Sequence, residues 1–94
     1  MRKFSLQFVI GSSYLGKTYI FYDIATKIKD QDIFIFETKD RISEKAFTSL
    51  LNKKNSIFLF DSNSLTISQI ELIMNGLYSL RNNNNKIIIF SLKN

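Results

Sequence analysis

Cysteine, histidine, proline and tryptophan are all missing from this 94-residue chain. Without cysteine there is no disulfide framework and no thiolate metal site, and without histidine as well, zinc chemistry and imidazole acid–base catalysis are excluded. A catalytic base in this protein is therefore a carboxylate or a lysine. Long apolar stretches are missing too, the longest runs falling far short of a membrane span. Met1-Arg2-Lys3-Phe4 is followed neither by an apolar region of sufficient length nor by a small-residue cleavage site, so no signal peptide is expected. The resulting expectation is a cytoplasmic protein with no membrane partner.

What is present suits a folded domain. Hydrophobic residues at 45% and charged residues at 22% argue against disorder. The length is that of one domain, residues 1–94, with a modest core, since a chain of this size hides only about two-thirds of the surface its unfolded form exposes. Thirteen basic against eight acidic side chains give a net charge of +5. The lysines are scattered along the sequence, as on a solvated surface rather than a nucleic-acid interface, so nucleic acid is not an expected partner. Abundant Ile, Lys, Asn and Phe also suit an AT-rich coding sequence, which lowers the weight of the charge.

The chain is organised around an apolar run, Phe4 to Ile10, that leads directly into Gly11-Ser12-Ser13-Tyr14-Leu15-Gly16-Lys17-Thr18. This octet fits G-x-x-x-x-G-K-[ST]. In that pattern glycines let the backbone wrap a polyphosphate, the lysine neutralises its charge and the hydroxyl holds Mg²⁺. The pattern needs a strand before it and a helix after it, and both are legible. Residues 4–10 read as a buried strand with one face less covered, and Ile20, Phe21, Ile24, Ala25 and Ile28 recur at helical spacing. The start of that helix points at the expected phosphates, where its N–H groups favour an anion.

Further along, Ile33-Phe34-Ile35-Phe36 reads as a covered parallel strand ending at Glu37. Ile42 and Phe47 flank Ser43 as a hydrophobic staple around an N-cap, starting a helix that carries Phe47, Leu50 and Leu51. Ile57-Phe58-Leu59-Phe60 is the next strand and delivers Asp61 to its C-terminal edge, where ligands of open α/β sheets bind. Thr66 and Gln69 form a capping box for a helix from about Ile67 that presents Ile70, Ile73, Met74 and Leu77 inward. Asn82 to Asn85 read as a polar, low-complexity turn before the strand Ile87-Ile88-Ile89-Phe90, which ends in Ser91.

This series resembles the nucleotide-binding core of the additional-strand P-loop ATPases, most closely the AAA+ and STAND branches. The resemblance rests on the Walker A octet Gly11–Thr18 and on four apolar residues followed by Asp61, which look like Walker B. It implies an α/β fold, a three-layer sandwich whose mostly parallel P-loop NTPase sheet of about four strands is flanked by helices. It also implies ATP or another nucleoside triphosphate as ligand, held by Gly11, Ser12, Ser13, Tyr14, Leu15, Gly16, Lys17 and Thr18, with Mg²⁺ on Thr18 and Asp61. Ser91 occupies the place of sensor 1, the polar residue that contacts the γ-phosphate or its attacking water, with Asn94 as a second candidate.

The AAA+ catalytic glutamate after the Walker B aspartate is replaced here by Ser62-Asn63-Ser64. RecA-like relatives place a glutamate at the end of the strand after the first helix, and Glu37 stands there as the candidate base, or else as a solvated loop charge. The resemblance further implies a fifth strand, an arginine finger and a helical lid, for which no length remains after the fourth strand. The expectation is an incomplete core, whether a fragment, a split subunit or a decayed gene product. In the family order the P-loop strand lies at an uncovered sheet edge, where a partner chain or a missing C-terminal segment would pair. The function expected is triphosphate binding with slow hydrolysis at most. The alternative is a non-catalytic module that binds a partner chain through the same fold.

Overall fold

The computed structural model describes residues 6–11, 14–37 and 40–92, with only the backbone of residues 14–16 and 92. Four strands and four helices follow one another along it: β1 (Leu6–Gly11), α1 (Tyr14–Lys27), β2 (Asp32–Phe36), α2 (Glu44–Leu51), β3 (Ser56–Asp61), α3 (Ile67–Asn75), α4 (Leu77–Asn82) and β4 (Lys86–Leu92). A short 3₁₀ turn, Ser62–Ser64, follows β3. The strands form one parallel sheet in the order β1-β4-β3-β2.

Alternation along the strands divides the core between the two faces of this sheet. Ile57, Leu59, Ile88 and Phe90 turn toward Phe21 of α1, while Phe58, Phe60, Ile87 and Ile89 turn toward Phe47 of α2, Ile73 of α3 and Leu80 of α4. The protein is thus α/β with helices on both faces of a parallel sheet, as expected. All six residues of β3 are buried, which is why its sequence is a continuous apolar run rather than an alternating one. Aromatic pairs lock the β2–β3 register: Phe34 stacks on Phe58 at 5.5 Å and Phe36 on Phe60 at 4.8 Å between ring centroids.

Both expected caps are formed. The Ser43 hydroxyl accepts from the Ala46 N–H at 3.2 Å, and Thr66 and Gln69 bond each other's backbone N–H groups. Contrary to the sequence expectation, β1 is not a buried strand and β2 is not covered, since both lie at sheet edges and leave Phe8, Ile10 and Ile35 exposed. Two features of the helices differ as well. The last helix ends at Gly76 and a second short helix follows it, so Leu80 of α4 enters the core. Met74, expected inward, is 51% exposed, and Gln69 takes the inward place one turn earlier. A polar residue can sit there because its amide is satisfied at both ends, donating to the Ile42 carbonyl at 2.8 Å and accepting from the Thr66 N–H at 2.9 Å.

The strand order puts β1 at a sheet edge next to β4, the position expected of the P-loop strand. Its Phe8 and Ile10 are exposed. Among the described residues no helix is long and apolar enough to cross a membrane.

Candidate functional site

All four strands end at one side of the sheet, and three charged side chains meet there. Lys17 is in the first turn of α1, the helix that lies over the Ile57/Leu59 face. Asp61 ends β3 on that same face by strand alternation, two residues beyond Leu59. The Lys17 ammonium donates to Asp61 Oδ2 at 3.3 Å, joining groups forty-four positions apart in the sequence. It also donates to Glu37 Oε1 at 3.3 Å. Lys17 and Asp61 are almost fully buried, with side chains 5% and 4% exposed, whereas Glu37 is 55% exposed.

The two carboxylates are held differently. Asp61 divides its work: Oδ1 accepts from the Asn63 N–H at 2.9 Å, capping the 3₁₀ turn, while Oδ2 faces the lysine. Its backbone carbonyl also accepts from the buried Ser64 hydroxyl at 2.8 Å. Asp61 is therefore both a strand-ending cap and a member of the charged cluster. Glu37 begins a turn closed by Asp40, whose carboxylate accepts from the Glu37 N–H and whose own N–H donates to the Glu37 carbonyl. Its side chain reaches the lysine from the solvent side and can leave at little cost in desolvation.

Gly11 ends β1 at the same edge of the sheet, and a Cβ there would collide with the Phe90 ring. Phe90 is buried, so the ring has no room to yield and glycine is required for packing. Thr18 is exposed. Ser91 pairs with Ile10 at the same end of the sheet, but alternation turns it to the Ile87/Ile89 face, away from α1. Ser12, Ser13 and Asn94 lie outside the described residues, and Tyr14, Leu15 and Gly16 are described by backbone alone.

The burial of Lys17 was not legible in the octet, where it reads as a loop charge. Its environment resembles that of a core ion pair, in which removal of one partner strands the other in low dielectric. The cluster of one cation and two carboxylates carries a net charge of −1, and so repels an anion unless a cation accompanies it. Two hard carboxylate oxygens beside a lysine suit Mg²⁺, which is commonly held by one or two carboxylates together with substrate phosphates. Of the two, the buried Asp61 would hold such an ion, and it would supply charge neutralisation for an anionic ligand. Comparison with protein-family models, with curated proteins and with solved structures finds no match to this chain.

Proposed function

We propose that this chain binds a nucleoside triphosphate together with Mg²⁺ at the C-terminal edge of its sheet, in the manner of the additional-strand P-loop ATPases. The observation that carries the reading is the meeting of Lys17 and Asp61 at 3.3 Å at the end of β3. The parallel order of the sheet brings the octet and Asp61 to one edge, and the contact goes further, placing the lysine and the aspartate within hydrogen-bond reach of each other. The position of β1, next to β4 and at the sheet edge, supports the same reading.

In this reading the backbone of residues 11–18 cradles phosphates and Lys17 neutralises them. Asp61 serves the metal, and Glu37 is the candidate base. Hydrolysis is slow at most, because Asp61 is followed by serine rather than glutamate. The setting is cytoplasmic, where triphosphate and Mg²⁺ are plentiful. Calorimetric titration with ATP tests the proposal: binding in Mg²⁺ that weakens strongly in EDTA is expected. No heat at millimolar ATP, or equal affinity in both buffers, contradicts it.

A second reading has one observation in its favour. Phe8 and Ile10 are 55% and 69% exposed on the edge strand β1, a surface that a partner chain could cover as a non-catalytic interaction module. Partner binding that ignores nucleotide would favour it.

A further inference from the structure

The lysines that are scattered in sequence are gathered by the fold. In a parallel sheet every helix-to-strand connection arrives at the same edge, here the one opposite Lys17 and Asp61. The connection from α1 to β2 brings Lys27 and Lys29, that from α2 to β3 brings Lys53 and Lys54, and that from α4 to β4 brings Arg81 and Lys86. Asp30 and Asp32 oppose these six cations, and Asp23 pairs with Lys27 at 3.3 Å. The rest of the described residues have the reverse balance, three cations against five carboxylates. The described molecule is therefore polarised, with a basic pole and an acidic remainder.

Hydrogen bonds fix the three connections to one another. The Asn55 N–H donates to the Asn83 carbonyl at 2.9 Å, and the Asn84 amide donates to the Asn55 side-chain oxygen at 2.6 Å. Asn55 also donates to the Asp30 carbonyl at 2.9 Å, and Gln31 to the Asn84 carbonyl at 3.1 Å. The starts of β2, β3 and β4 lie within about 10 Å of one another, two strand spacings. That is close to the Debye length at 0.1 M ionic strength, so the cations act as one patch. Lys27 and Arg81 suit the negative ends of their helices, but this account does not extend to Lys29, Lys54 and Lys86.

We infer that this pole is a docking surface for the phosphate backbone of a nucleic acid, read without regard to base sequence. Phosphate is the complementary chemistry because the patch offers ammonium and guanidinium charges on a rigid frame. Base readout is not offered by the Asn55 and Asn84 amides, which are engaged in holding the turns. A membrane surface fits less well, because the turns 28–31, 52–55 and 83–85 carry no exposed large hydrophobic residue to insert. The surface is on the opposite side of the sheet from the nucleotide site proposed above and stands independently of it.

Fluorescence anisotropy with a labelled single-stranded oligonucleotide tests this, with vesicles of anionic phospholipid as the comparison. Binding at low salt is expected, falling with a log–log slope of about −3 if four phosphates are contacted. The triple variant Lys29→Gln, Lys54→Gln, Arg81→Gln changes only exposed side chains and should bind at least tenfold more weakly. Its slope should be shallower by about two. A folded variant that binds as the wild type does overturns the inference. So does wild-type protein that ignores the oligonucleotide at low salt, or that is captured by vesicles alone. The salt dependence of the wild type decides the matter even if the variant does not fold.

Discussion

The two ends of the sheet are stabilised by opposite means. At the C-terminal end of the strands a buried lysine holds two carboxylates, one ending β3 and one following β2, and the local backbone is closed by the aspartates Asp40 and Asp61. At the other end neutral amides do the structural work, and the charges stand outside them. Asn55 and Asn84 adopt positive φ values of 55° and 57°, a conformation asparagine tolerates better than most residues. Asn85 is buried, accepting from the Ser56 N–H at 2.9 Å and donating to the Lys53 carbonyl at 2.6 Å. One end is thus bound by ionic contacts that an incoming ion could exchange. The other is bound by amide contacts that leave nothing to exchange. A ligand that rearranges charge belongs at the first, and a rigid docking surface belongs at the second.

The largest expected effect separates the ends by what they lose. Lys17→Ala removes the cation beside buried Asp61 and should cost about 3–5 kcal/mol of stability, while lowering affinity for ATP with Mg²⁺ at least tenfold. Adding Asp61→Asn should restore much of the stability, since Asn keeps an oxygen for the Asn63 N–H, and should not restore binding. Chemical denaturation and calorimetry on the single and double variants read both quantities. Recovery of both together would mean that the lysine has only a structural role.

At the opposite end, Asn85→Ala leaves the Ser56 N–H and the Lys53 carbonyl without this partner and should cost about 2–4 kcal/mol. Per folded molecule its ATP affinity should match the wild type. A large change in affinity would show that the two ends are coupled and would break the comparison.

The smallest effect concerns Glu37, which pairs with Lys17 from an exposed position and, in the proposed reading, would compete there with a phosphate. Glu37→Gln removes that competitor and should tighten ATP binding about two- to fivefold, the scale of a solvent-screened ion pair. If Glu37 acts solely as a base, affinity stays constant and turnover alone falls.

Much of this organisation was legible in the sequence. The strands β3 and β4 announced themselves as apolar runs because a parallel strand covered on both faces has no polar side to show, whereas β2 reads as apolar although it is an edge strand with Ile35 exposed. The convergence of Asp61 and the octet at one edge follows from the same parallel order. What stayed hidden depended on polar residues whose partners are remote. Gln69 looked like a cap and nothing more, so the inward stripe was extended to Met74 instead. The asparagine run looked like a solvated turn, because nothing local reveals that Asn85 bonds residues about thirty positions away. The helix break at Gly76 was masked by Leu77, which keeps the apolar period running through it. The basic pole was invisible for a related reason, since its cations are neighbours only after three connections have been brought to one edge.

The measurement that bears most directly on the proposed nucleotide site is hydrogen–deuterium exchange of the wild-type chain with and without saturating ATP and Mg²⁺. Slower exchange is expected in residues 11–18 and in the turn after Asp61, with no change in the turns 52–55 and 83–85. Protection confined to those two turns would mean that ATP binds merely as a polyanion at the basic pole, and would contradict the assignment of Lys17 and Asp61 to the nucleotide.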